Sequence, residues 1–318
     1  MAITLTQLRS FLAVLRTGSV TGAAEDLVVT QPSVSAAVSA LSRELGVELT
    51  ERIGRSIRPS SAGQAFAPYA ADVIGLLDQG RRTAQEAAEI ATRELRIAAV
   101  TTAGEHFVPQ LMDAFSASHP ETTLCLEVDN RQRVFDRVRT HQSDLAIAGR
   151  PPKEGVVGEP FLDNPIVLIT APGDPLAGRR DPRVEELGRS HWLLREEGSG
   201  TRTMTEEFLA SNQLHPRLLT LGSNGAIKQA VRAGLGISLQ SLLAVQLELD
   251  LGLLATIDVR QPLPRREWYL LGPQHGPVRP QAQQFMAFVR SEHGRHALER
   301  AGRMQTAPGS EYAPNGRT

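Results

Sequence analysis

An α/β protein with a helical N-terminal region is the fold this sequence predicts, and three observations carry the expectation. Residues 94 to about 303 alternate short β-type runs with amphipathic helices, as right-handed βαβ crossovers and a mostly parallel sheet require. Residues 1 to about 58 are helical in pattern, with short turns between. Residues 60 to about 90 read as one long, Ala-rich helix. A length of 318 residues suits two or three domains better than one core.

In the first region, Val20 to Ser39 has the pattern of two helices packed across a tight turn. Ala23 and Ala24 are small enough for close approach, and Leu27, Val29, Val34 and Val38 lock the second helix onto the first. Thr30 is placed to cap that second helix, and Pro32 falls in its first turn, where a missing N–H is harmless. Gln31, Ser33, Ser35, Ala36 and Ser39 then face solvent, a small polar surface suited to a major groove. Arg52, Arg55 and Arg58, spaced around Gly54, have the pattern of a wing that grips phosphates. The periodicity alone fits an ordinary helical hairpin with solvated arginines equally well.

The long helix has Ser60 as its cap and carries Phe66, Tyr69, Val73, Ile74, Leu76 and Leu77, then Ala84, Ala87, Ala88 and Ile90. Such a stripe must be buried, against its own domain or against a second copy.

The third region has candidate strands at Leu95–Val100, Thr123–Val128, Asp144–Ala148, Ile166–Ala171, Trp192–Leu194, Leu218–Leu221, Gly236–Leu239 and Trp268–Gly272. Helix-length segments, such as Phe107–Ser118, Arg131–Thr140, Thr201–Asn212 and Asn224–Ala233, lie between most of them. Two strand-to-helix junctions stand out. One is Thr101-Thr102-Ala103-Gly104; the other is Gly198-Ser199-Gly200-Thr201-Arg202. Each places hydroxyls and orphan backbone N–H groups where an anion is favoured, and Arg202 adds a planar fork for phosphate or carboxylate. Asn224 opens a third such segment, and Gly149 follows the third strand. Each junction taken singly also fits a plain helix cap.

Composition narrows the function. Lys+Arg 34 against Asp+Glu 35 gives a net charge of -1, so nucleic-acid binding has to come from a local surface. One cysteine, Cys125, excludes an internal disulfide framework and is expected to be buried and inert in its strand. His106, His119, His141 and His191 show no ligand spacing, so no metal and no cofactor is expected. No apolar run has membrane-spanning length and no secretory signal is visible, so a cytoplasmic location is expected. No catalytic motif was found, so an enzyme is not expected.

The segment from Leu8 to Gly63 resembles the winged helix-turn-helix of LysR-type transcriptional regulators. The likeness runs through Gly18-Ser19, Ala23-Ala24, Thr30-Gln31-Pro32-Ser33, Leu41, Glu44-Leu45-Gly46, Leu49, Arg52, Gly54-Arg55 and Ala62-Gly63. It implies that Gln31, Pro32, Ser35 and Ala36 face DNA and that the three arginines lie in or near the wing. Ala36 departs from the Arg common in the family, and Thr50 stands where an aromatic is usual. Residues 198–202 and 223–238 resemble the branch holding Calvin-cycle operon regulators and relatives that respond to small anions. Thr101 or Thr102 matches the family's first effector position.

The resemblance implies a winged helix-turn-helix DNA-binding domain at 1–58 and a linker or dimerisation helix at 59–91. An effector-binding domain then fills 92–304, as two α/β subdomains of periplasmic-binding-protein type. Subdomain I takes about 92–162 and 269–304, subdomain II about 163–268, and 305–318 form a disordered tail. Expected partners are double-stranded DNA at a roughly palindromic promoter site, a small anionic effector, and further copies as a homodimer and homotetramer, with RNA polymerase a further candidate. The alternative is a cytoplasmic anion-binding protein, or an α/β enzyme, with a helical extension.

Overall fold

Helix boundaries follow the capping chemistry in the chain. In the computed structural model, which describes residues 3–54, 56–88 and 93–305, Thr4, Ser19, Thr30 and Ser60 cap the first four helices. Each side chain accepts a backbone N–H two or three residues inside its helix. The helices are α1 (Leu5–Thr17), α2 (Val20–Leu27), α3 (Gln31–Leu45) and α4 (Ser61–Ala87). A two-stranded wing, β1 (Thr50–Ile53) and β2 (Ser56–Pro59), lies between α3 and α4. Arg55 and Ile90 lie outside the described residues, as does nearly all of the expected tail.

One core holds this region. Phe11, Ala23, Val34, Leu41 and Leu49 are fully buried, with Phe66, Ala67 and Ile74 of α4 packed against them. The α4 stripe is therefore divided. One side closes this core, while Tyr69, Val73 and Leu77, one turn apart, stay exposed. Close approach makes Gly63 obligatory, since a Cβ there would stand 1.9 Å from the Leu49 carbonyl oxygen.

The remainder begins with β3 (Arg93–Val100), α5 (Thr101–His106), α6 (Val108–Ser118), β4 (Thr122–Asp129), α7 (Arg131–Arg139), β5 (Leu145–Ala148), β6 (Val156–Asp163) and β7 (Ile166–Thr170). It continues through α8 (Val184–Arg189), β8 (Trp192–Arg195), α9 (Gly200–Ser211), β9 (Leu218–Leu221), α10 (Asn224–Arg232), β10 (Ser238–Ser241), α11 (Leu242–Asp250) and β11 (Ala255–Ile257). It ends with β12 (Glu267–Pro273), α12 (Pro280–Arg290) and α13 (Glu292–Gln305).

Three sheets organise these elements, and they correct the expectation of a mostly parallel sheet. In the order β4-β3-β5-β12-β6, only β3 pairs in parallel, with β4 and β5; β12 runs antiparallel to both β5 and β6. In the three-stranded sheet β7 is antiparallel to both β10 and β11, and β8 and β9 form a separate parallel pair. The reason is that β7 and β12 carry the chain across between subdomains, so each enters its sheet against the βαβ direction. Strand β12 starts at Glu267, two residues before the expected boundary at 269. Both faces of each sheet are covered by apolar clusters, as helices on either side require. Cys125 is half-buried rather than buried, because β4 is an edge strand.

By contacts the chain divides into two units: Met1–Ala91 with Arg139–Gln142, and Thr92–Val138 with Ser143–Thr318. No described helix is long and apolar enough to cross a membrane. Among the described residues no group of three or more His, Cys, Asp or Glu could hold a metal ion.

Candidate nucleic-acid interface and effector cleft

In the first unit, α3 presents Gln31, Pro32, Ser33, Ser35, Ala36 and Ser39 at the surface, while Val34 and Val38 turn inward. Thr30 also lies at the surface, and its hydroxyl accepts the Ser33 N–H and bonds the Ser33 hydroxyl at 2.8 Å. Arg52 on β1 pairs with Ile57 and Arg58 on β2 pairs with Glu51, so the two arginines lie on opposite faces of the wing; both are exposed. Among the described residues neither has a carboxylate within ion-pair distance. The Ile57 N–H donates to the Gly18 oxygen at 2.9 Å, tying the wing to the α1–α2 turn. A helix with its polar N-terminal face outward, beside a wing that carries exposed guanidiniums, suits major-groove entry with phosphate anchoring.

The second unit holds a cavity at the strand ends, between its two subdomains. Thr101, Thr102, Gly149, Ser199, Gly200 and Thr201, all expected there, line it. So do Asp129, Asn130 and Arg131 from the turn into α7. Four expected residues do not. Ala103 is buried in the core beneath, and Gly198 is the left-handed turn before α9. Arg202 is turned away along α9: its Nε donates to Glu206 at 2.8 Å and its Nη1 to the Arg195 carbonyl at 3.3 Å. The third position of α9 points along the outer helix face, where the i+4 carboxylate captures the fork. Asn224 sits behind the lining; its Nδ2 donates to the Thr102 hydroxyl at 3.1 Å, and its Oδ1 accepts from Arg195.

The charge in the cavity comes from Arg131, which the sequence offered either as pocket lining or as plain turn chemistry, and from Arg195 and Arg266, which it did not single out. Arg195 ends β8, is buried, and lies between Glu196 and Asn224. Arg266 comes from the crossover segment before β12 and donates to the Gly200 carbonyl at 3.3 Å. Gly149 and Gly200 make its slot: a Cβ at either would stand 2.8 Å and 3.0 Å, respectively, from the Arg266 Nη2. Arg131 lies 4.7 Å above the Phe135 ring and donates to the Arg150 carbonyl at 2.9 Å. Neither Arg131 nor Arg266 has a carboxylate within 4.0 Å among the described residues. Burial lowers the pKa of both, and the neighbouring Arg131 lowers that of Arg266 further. Trp268 also lines the cavity, and its buried Nε1 has no hydrogen-bond partner among the described residues.

The cleft is closed in this conformation, with a cavity of about 30 Å³. Two bonds bridge it directly: Asn224 to Thr102, and the Gln132 N–H to the Gly198 carbonyl at 3.3 Å. The crossover strands are held by the Asn164 N–H on the Arg266 carbonyl at 2.9 Å and the Ser241 hydroxyl on Asn164 at 2.6 Å.

Comparison with known proteins follows the same division. Residues 5–64 match the family described as bacterial regulatory helix-turn-helix protein, lysR family, and residues 89–294 match the LysR substrate binding domain. The HTH-type transcriptional activator CmpR of Synechocystis is 37% identical over 288 residues, covering 90% of this chain and 94% of that protein. A RuBisCO operon transcriptional regulator of Allochromatium vinosum is 37% identical over 297 residues, covering 93% and 98%. Among solved structures, the Synechocystis CcmR regulatory domain in complex with 2-PG is 33% identical with a TM-score of 0.59, covering 62% of this chain and 95% of that one. The alternative of an anion-binding protein or enzyme with a helical extension is not favoured by these matches.

Proposed function

Because the chain belongs to the LysR family of transcriptional regulators, we propose that its α3 face and wing hold double-stranded DNA while the cleft takes a small organic anion. The observation that carries the second part is the set of donors around one cavity: the half-buried Arg131 and Arg266, which have carbonyl but no carboxylate partners, and the buried Trp268 N–H, which has no partner among the described residues. Buried cations and donors cost free energy unless a partner arrives. A phosphate or carboxylate in the cavity satisfies all three. 2-Phosphoglycolate, the ligand of the CcmR regulatory domain, has both groups and is the first candidate.

At about 30 Å³ the cavity has room for little more than water. Binding therefore requires the subdomains to part, breaking Asn224–Thr102 or Gln132–Gly198, and the ligand favours the parted arrangement by its contacts there. That movement is the signal passed on. Exposed Tyr69, Val73 and Leu77 support a second copy packing on α4, which makes a symmetric dimer reading a roughly palindromic site. A homotetramer and contact with RNA polymerase extend the same reading.

Isothermal titration of the full-length protein with 2-phosphoglycolate tests the cleft. Arg266→Gln removes a charge-assisted donor and should weaken binding roughly 10- to 100-fold. Trp268→Phe removes one neutral donor and should cost about 2- to 10-fold. Binding unchanged by Arg266→Gln, or no binding of any small anion, overturns the assignment.

A further inference from the structure

We propose that His106, Lys228 and Glu248 form a further bridge between the two subdomains, through which proton uptake by His106 favours their parted arrangement. The geometry has two rungs. Thr102 and His106 stand one turn apart on α5, in the first subdomain, and Asn224 and Lys228 stand one turn apart on α10, in the second. The first rung is Asn224 on Thr102, at 3.1 Å, and Thr102 is part of the cavity wall. One turn farther along, Lys228 Nζ donates to Glu248 Oε1 at 2.7 Å and to the Ala244 carbonyl at 3.1 Å. These bonds tie α10 to α11, and α11 packs against α5. His106 completes the second rung from the α5 side, where both charges act on its ring.

The other elements packed against α5 are β3, β4, β5 and α6. Among the described residues the charged groups that shift the His106 ring are Lys228 and Glu248. Glu105 beside it is exposed, β5 carries no charge, and the charges of β3 lie at its opposite end. Asp113 on α6, Asp129 on β4, Asp250 on α11 and Arg232 on α10 are not among the groups that shift it. A proton on this half-buried ring sets two cations, His106 and Lys228, against one carboxylate in a site short of water.

Parting the subdomains returns the ring to solvent. Its pKa in the closed arrangement lies below 6.5, through burial first and then Lys228, with Glu248 opposing. Closure is therefore fully favoured above pH 6.5, and that preference is lost as pH falls toward the closed-state value. The opening equilibrium should rise on the order of threefold to tenfold between pH 7.5 and pH 5.5. The inference rests on the reading that the subdomains part, but not on which anion enters.

The test is acrylamide quenching of tryptophan fluorescence in the full-length protein from pH 7.5 to pH 5.5. Of the two tryptophans, Trp192 is sealed in its core and Trp268 lines the cleft; acrylamide is neutral and does not compete for the arginines. Quenching should rise as pH falls, with a midpoint below 6.5, and Trp268→Phe should lose the rise. His106→Gln should abolish it. Lys228→Met should reverse its sign, since protonated His106 then becomes the counter-charge of Glu248, whose buried Oε2 has no hydrogen-bond partner among the described residues. A merely structural role would change quenching equally at every pH. The inference is overturned if wild-type quenching is flat or falls with acid, if His106→Gln keeps the rise, or if the rise survives Trp268→Phe. Should Lys228→Met fail to fold, His106→Gln decides alone. Failure of 2-phosphoglycolate to bind, with the rise present and lost in His106→Gln, removes the ligand assignment and keeps the pH-dependent closure.

Discussion

The proposed DNA-reading face and the proposed effector cleft both depend on arginine, in opposite ways. Arg52 and Arg58 stand in water on a wing held by backbone hydrogen bonds; their charge costs nothing until phosphate arrives. Arg131 and Arg266 are drawn into a closed cleft without a carboxylate partner among the described residues, where desolvation makes that absence costly, while Arg195 is buried against Glu196. The first arrangement gives affinity that salt erodes. The second gives a cavity whose energy changes when an anion enters, as a sensor requires.

The two regions part most sharply under substitution of Gly63. Gly63→Ala drives a Cβ into the Leu49 carbonyl and should destabilise the first unit by about 2–3 kcal/mol. DNA affinity should fall with it while 2-phosphoglycolate titration of the same protein stays normal; loss of both would erase the distinction. A smaller effect is expected from Arg52→Ala and Arg58→Ala. Each phosphate contact removed should lower the slope of log affinity against log salt by about 0.9 on every DNA sequence, read by fluorescence anisotropy. A slope that does not move places the arginine off the backbone.

The smallest effect concerns pH. His106 lies below its ordinary value of 6.5 because of burial first, then Lys228, with Glu248 opposing. The neutral ring is the folded form, so its contribution to stability is full above pH 6.5. That contribution is lost as pH falls from there toward the folded value, because the unfolded chain takes up the proton first. His106→Gln should flatten the stability curve between pH 7 and pH 5 in chemical denaturation. An unchanged curve would remove His106 from the account.

How much of this was legible follows from chain distance. The residues proposed to face DNA lie between Thr30 and Arg58, within the three consecutive elements α3, β1 and β2, and their periodicity and caps could be read directly. The cleft draws on segments from Val100 to Trp268. Ser199 and Thr101 were readable as helix starts beside strands. Arg266 was not, since it sits in the irregular Gln261–Arg266 stretch with no periodic signal. Arg195 fell one residue beyond the expected strand end at Leu194 and was passed over. Arg202 was misplaced because composition shows a fork near a helix start but not which helix face carries it; the Glu206 one turn on was the available clue. The antiparallel entry of β7 and β12 was hidden for a related reason: strand direction depends on where crossovers return, not on local pattern.

The closed cleft also has a consequence in time. If the cleft takes its anion as proposed, then with Asn224 on Thr102 and Gln132 on Gly198 the ligand cannot enter at the rate at which it collides. It waits for those bonds to open, so the observed association rate rises with anion concentration and then levels off at the opening rate. Above that plateau the regulator's response is paced by its own hydrogen bonds rather than by supply. A brief pulse of metabolite, shorter than the opening time, passes without being registered.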